Sequence, residues 1–303
     1  MPLIVPKKLP AIEVMRKEGI YLLDEVPKES NPLRVILLNL MPVKETTELD
    51  FIRVLSHSPL YVQLVLMKIS GQTYKNTSEE YMNTFYTDFE ELSDEHFDGL
   101  IVTGAPVEQI EFEDVRYWKK LGHIFSWARR QVTSTLYVCW GAQAGLYYHY
   151  RIPKYSLPSK MFGIFEHEIL QPGYSVFRGF DTTFNMPQSS HTEIRVADIE
   201  RVEDLQLIAK SHISGVGLVM AHGGREFFIT GHLEYAPDTL DKEFRRDLAK
   251  ALPISAPVNY YADDDPDKSP KVTWRSNGHW FYLNWLHSYA NDNELNKKYP
   301  IVR

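Results

Sequence analysis

Apolar residues along this chain fall into short, almost unbroken runs in its first half. Residues 34–40 read RVILLNL, 61–67 read YVQLVLM, 97–103 read FDGLIVT and 134–138 read STLYV. Runs of this kind suit strands buried on both faces, as in a parallel sheet. Between them the spacing becomes helical. Leu49, Ile52, Val54 and Leu55 predict a helix over 46–56, and Trp118, Leu121, Ile124, Phe125 and Ala128 predict one over 114–130. A short helix is expected near 79–85 in an otherwise polar stretch, and another from residue 139 to about 148. Alternating strands and helices predict an α/β fold, an open and mostly parallel sheet with flanking helices.

The second half is more strand-like. Strands are expected at 164–170, 205–211, 215–220 and 226–230, and a helix at 239–251. Residues 260–271 read as an acidic loop, 274–290 as an aromatic-rich helix whose stripe packs, and the end as a polar tail. Before residue 31 the chain has four prolines and a helical pattern near 11–18. The expected organisation is an arm (1–33) packed on the core, a catalytic α/β domain (34–260), and a C-terminal loop and helix (261–303) of the same globular unit.

Composition narrows the function. The 303 residues are 44% hydrophobic and 24% charged, ordinary for a soluble globular protein. A net charge of −7 argues against a general nucleic-acid or anionic-membrane binder. One cysteine excludes an intrachain disulfide and a multi-cysteine zinc site. The first residues hold no apolar core like a signal peptide's, and no run reaches the ~18 apolar residues of a membrane span, so a cytoplasmic location is expected.

The sole cysteine, Cys139, ends the fourth strand run in STLYVCWGAQAG. Strand, tight turn and a small-residue helix start would lift a thiol from the sheet and place it at a helix N-terminus, which favours thiolate. In open parallel sheets, ligands bind beyond the carboxyl ends of the strands. Lys44, Glu108, Cys139, His232 and Glu234 all follow strand runs. His232 suits a general base for Cys139, with Glu234 orienting the imidazole. Lys44 suits an oxyanion, a phosphate or a carboxylate. Taken singly, each has a plainer reading: a buried thiol, an accidental His-x-Glu, a surface lysine, a loop carboxylate. A deaminase reading of His-x-Glu fails for want of a later Cys-x-x-Cys.

Six stretches then carry a resemblance: LNLMPVK (38–44), DGLIVTGAPVE (98–108), TSTLYVCWGAQA (133–144), PQSSHTE (187–193), TGHLEY (230–235) and NYYADDDP (259–266). The chain resembles the homoserine O-acyltransferase family, whose fold is similar to that of class I glutamine amidotransferases. The resemblance implies a ping-pong reaction. Cys139 takes an acyl group from acyl-CoA and passes it to the hydroxyl of L-homoserine, for methionine biosynthesis. His232 is then the base and Glu234 its partner. Lys44 and the backbone N–H of Trp140 stabilise the oxyanion, and Lys160, Ser189 and Arg246 contact substrate. Glu108 occupies the position that resembles an acyl selector. A carboxylate there would repel the distal carboxylate of succinyl, so acetyl-CoA is the expected co-substrate. No tightly bound cofactor, no metal and a homodimer are implied. Succinyl-CoA as donor, L-serine as acceptor, a glutaminase-type hydrolase and a non-catalytic binding protein stand as alternatives. Gln188, Ser190, Leu233 and Phe162 depart from the family pattern.

Overall fold

The apolar runs of the first half become neighbouring strands of one sheet. The computed structural model describes residues 2–291. Its strands are β1 (Leu3–Ile4), β2 (Leu33–Leu38), β3 (Val62–Lys68), β4 (Thr87–Asp88), β5 (Phe97–Val102), β6 (Val132–Val138), β7 (Tyr155–Ile169), β8 (Thr183–Glu193), β9 (Leu205–Ser211), β10 (Gly215–Ala221) and β11 (Glu226–Ile229). Its helices are α1 (Ala11–Lys17), α2 (Lys44–Leu55), α3 (Glu79–Phe85), α4 (Phe89–Leu92), α5 (Trp118–Gln131), α6 (Trp140–Tyr150), α7 (Val196–Ile199), α8 (Thr239–Ala249) and α9 (Arg275–Trp285). None of the described helices is long and apolar enough to cross a membrane.

The strand order is β1-β3-β2-β5-β6-β11-β10-β9-β7-β8, with β4 also on β3. Pairing is parallel from β1 through β11 and antiparallel from β11 to β8. Both faces are covered, which is why the runs are continuous. In β2, Val35 and Leu37 pack into one core with Phe51 of α2 and Trp285 of α9. Ile36 and Leu38 pack into the opposite core with Phe125 of α5 and Leu146 of α6. All four β2 side chains are fully buried, each contributing about 1.5–3 kcal/mol to stability.

The expected strands and helices of the first half form, with ends shifted by a few residues. The helix expected over 114–130 starts at Trp118, because Phe112–Asp114 forms a separate 3-10 turn. The arm before residue 33 does more than pack on the core. Its Leu3 and Ile4 pair with Val62 and Gln63, adding an edge strand. Later in the chain, the strand expected at 164–170 starts at Tyr155, and 183–193 forms a further strand that the apolar pattern does not predict. The aromatic stripe of 274–290 packs Trp274, Phe281, Tyr282 and Trp285 inside, and the helix passes into a π-turn at Leu286–Ala290. The polar tail expected at the end lies outside the described residues.

Candidate active site

Strand β6 runs without a break into Cys139, whose backbone takes φ +55° and ψ −121°. A non-glycine residue there is strained by about 1–3 kcal/mol. Its neighbours hold it in that state. The Cys139 N–H donates to the carbonyl of Ile229 on β11 (2.7 Å), and its carbonyl accepts from Ala142 (2.9 Å) and Gln143 (3.2 Å). The thiol therefore stands at the N-terminus of α6, and the N–H of Trp140, the first helical residue, has no intrahelical acceptor. Two glycines permit this close packing. A Cβ on Gly141 would lie 2.7 Å from the carbonyl oxygens of Val102 and Thr103. One on Gly104 would meet Cys139 Cβ at 3.3 Å and Sγ at 3.5 Å, so the loop after β5 closes directly on the thiol.

Beyond β11 the chain delivers His232, which is 5% exposed. Its N–H donates to the carbonyl of Pro187 (2.9 Å), and its ring stacks on Tyr235 with centroids 3.9 Å apart. Nδ1 donates to Glu234 Oε1 (2.7 Å), and a side-chain hydrogen bond joins the ring to Cys139. Burial by itself would lower the pKa of His232. The charges and hydrogen bonds of Cys139 and Glu234 outweigh it and hold the imidazole well above its usual value of 6.5. Glu234 also accepts from Tyr282 on α9 (3.4 Å). One member of the packing stripe thus reaches the site.

Lys44, the first residue of α2, is 2% exposed rather than on the surface. Its Nζ donates to the carbonyls of Asn39 (2.6 Å) and Met41 (2.8 Å) in the loop after β2 and lies over the ring of Tyr74. Burial lowers its pKa to about 8, against an opposing pull from Glu48.

Lys160, Ser189 and Arg246 form a second cluster, and Glu243 of α8 links them. Glu243 accepts from Lys160 Nζ (2.8 Å), Ser189 Oγ (2.9 Å) and Arg246 (3.4 Å). Arg246 also donates to Asp247 (2.7 Å). The negative charge of Glu243 bears on Tyr235, the ring stacked on His232, so the two clusters adjoin. Glu108 is held elsewhere. Its Oε2 accepts from Ser190 Oγ (2.7 Å) and the N–H of His191 (3.0 Å).

Strand β8 touches His232, Glu243 and Glu108 through Pro187, Ser189, Ser190 and His191. It stands at the far end of the strand order from β2, so the antiparallel half of the sheet curls back over the carboxyl ends of the parallel half. Sequence reasoning missed Glu243, although residues 243, 246 and 247 share one helix face at the i, i+3 and i+4 spacing. It also missed Asp50, a buried carboxyl that feels the charge of Glu234. Desolvation by burial, reinforced by the charge of Glu234, pushes its pKa up to about 8. Nothing in the sequence marks Asp50 as buried.

Comparisons with known proteins find relatives over nearly the whole chain. A model of the homoserine O-succinyltransferase family matches residues 2–294. A homoserine O-acetyltransferase of Bacteroides thetaiotaomicron is 56% identical over 293 residues, 96% of each chain. One of Brevibacillus brevis is 49% identical over the same length, again 96% of each. Among solved structures, a glutamine amidotransferase of Thermotoga maritima has a TM-score of 0.56 at 11% identity, over 86% of this chain and 100% of that one. Another, from Methylobacillus flagellatus, has a TM-score of 0.52 at 11% identity, over 86% and 96%. At such identity these two show a common fold.

Proposed function

The chain belongs to the homoserine O-succinyltransferase family, and from that premise we propose that it moves an acetyl group from acetyl-CoA to the hydroxyl of L-homoserine through a thioester on Cys139. The product is O-acetyl-L-homoserine, for methionine biosynthesis. The observation that carries this reading is the Cys139–His232–Glu234 array at the start of α6.

The sulfur of Cys139 attacks the thioester carbonyl, and the coenzyme A thiolate leaves with the proton from His232. The homoserine hydroxyl then attacks the acyl-enzyme and gives its proton to His232, and the Cys139 thiolate is expelled. The same imidazole suits both half-reactions. In the free enzyme the charge on Cys139 is the largest of the influences that raise the His232 pKa. Acylation removes that charge, so the imidazole becomes neutral more readily when it must act as a base.

The N–H of Trp140 and the field of Lys44 serve the oxyanion. An amino acid acceptor brings one carboxylate and one ammonium. Arg246 offers a fork for the first, Glu243 an opposite charge for the second, and Lys160 and Ser189 hold Glu243 in place.

Two measurements follow from these roles. The Lys44 ammonium is lost as pH rises through about 8, so turnover is expected to fall on an alkaline limb there. Lys44→Met should remove that limb together with about 10²–10³ of the rate. A limb that persists in Lys44→Met would assign it to another group. Profiling acyl donors and acceptors tests the reaction itself: wild type should prefer acetyl-CoA to succinyl-CoA and L-homoserine to L-serine. Glu108→Gly should shift the donor preference toward succinyl-CoA. Higher kcat/KM for succinyl-CoA in wild type would overturn the acetyl assignment, and ammonia release from glutamine without thioester turnover would overturn the reaction class.

A further inference from the structure

Glu108 lies in a loop whose backbone is fixed. Lys154 Nζ donates to the carbonyl of Glu108 (2.5 Å) and to that of Ile110, and lies over the ring of Phe112. Only the side chain of Glu108 is left to swing, and β8 determines where it rests. Its Oε2 faces the hydroxyls of Ser190 (2.7 Å) and Thr192 (3.4 Å) and the N–H of His191 (3.0 Å).

Those donors are not equivalent. Thr192 Oγ1 has one proton and a nearer acceptor, Gln143 Oε1 at 2.9 Å. The Ser190 hydroxyl lies between Glu108 Oε2 and the carbonyl of Thr192 (2.8 Å), and the charged acceptor makes the stronger bond. The N–H of Thr192 donates to Ser190 Oγ (3.2 Å), which fixes the hydroxyl of this buried residue. The His191 N–H belongs to the backbone and no side-chain substitution removes it. Ser190 is therefore the side chain that sets the pose of the Glu108 carboxylate.

We propose that Ser190 is a specificity-positioning residue: its hydroxyl holds the Glu108 carboxylate in the acyl site, and that fixed carboxylate excludes acyl groups bearing a distal negative charge. This rests on the reading of Glu108 as the acyl selector. A free carboxylate would rotate toward solvent and take its repulsion with it. A held one cannot, so discrimination depends on the grip as well as on the charge.

The experiment measures kcat/KM for acetyl-CoA and succinyl-CoA in wild type, Ser190→Ala, Ser190→Thr, Glu108→Gly and the double variant Glu108→Gly/Ser190→Ala. The acetyl-to-succinyl ratio cancels any general loss of folded enzyme. Ser190→Ala is expected to lower that ratio about tenfold, the scale of one hydrogen bond to a charged group. Ser190→Thr, which keeps a hydroxyl, should restore most of it. In the Glu108→Gly background, Ser190→Ala should change nothing further. A ratio that collapses in Glu108→Gly but is untouched in Ser190→Ala would overturn the role of Ser190 alone. A ratio untouched in Glu108→Gly would overturn the selector reading and this inference with it.

Discussion

Cys139→Ser is expected to lower acetyl transfer by about 10⁴–10⁶-fold while leaving the fold intact, because nucleophile and base act as a unit. A serine hydroxyl has nearly the shape of the thiol, so the strained turn, the Ile229 contact and the packing against Gly104 survive. The chemistry does not survive. A thiol gives up its proton near neutral pH beside an imidazole, whereas a hydroxyl stays protonated and attacks only as His232 removes its proton. Intact-mass spectrometry gives the second readout. Wild type incubated with acetyl-CoA and no acceptor should gain one acetyl group on Cys139, and Cys139→Ser should gain none on the same timescale. Turnover in the variant within tenfold of wild type would remove Cys139 from the reaction, and an adduct on another residue would relocate the nucleophile.

Much of this arrangement is legible in the sequence, for a physical reason that also explains what is not. Val35 to Leu38 are buried on both faces of a parallel strand, so burial is written as an apolar run. Cys139 and His232 follow such runs at the carboxyl ends of neighbouring strands β6 and β11. Strand β8 is different. Its buried positions include Gln188, Ser190 and Thr192, of which Ser190 bonds Glu108 and Thr192 bonds Gln143, and Pro187 sits within it. Only Phe184 and Met186 on its inner face are apolar, and hydrophobic periodicity cannot follow a strand whose inner face turns hydrophilic after them. The start of β7 is hidden likewise, with SLPSK mostly exposed. Glu243 reads as part of a solvated helix face until Lys160 and Ser189 arrive from β7 and β8. Lys44 reads as a surface lysine until the loop carbonyls of Asn39 and Met41 enclose it. The chemistry that follows strands is visible locally; the chemistry made where the sheet curls back on itself is a property of the fold.

Glu234→Gln should produce the second large effect, a fall in kcat of about 10²–10⁴-fold, the range set by loss of the acid in a nucleophile–His–acid triad. The amide keeps the size of the side chain and can accept from Nδ1, but it can also present its NH₂ and turn the ring to the wrong tautomer. It carries no charge. The Glu234 charge and hydrogen bond are among the influences that lift the His232 pKa, next after that of Cys139, so the variant's imidazole should lose its proton at lower pH. The sign carries to stability. A pKa raised in the folded state contributes stability that is fully present below the unfolded value of about 6.5 and fades as pH rises through the folded value. Glu234→Gln should therefore lose more Tm at pH 6 than at alkaline pH, where the wild-type contribution has already faded. Profiles of kcat/KM and Tm from pH 5 to 10 in both proteins test this together. A rate within threefold of wild type with an unshifted acidic limb would leave Glu234 no part in orienting His232. A Tm loss that grows toward alkaline pH would mean that the buried pair is held by something other than the charge of Glu234.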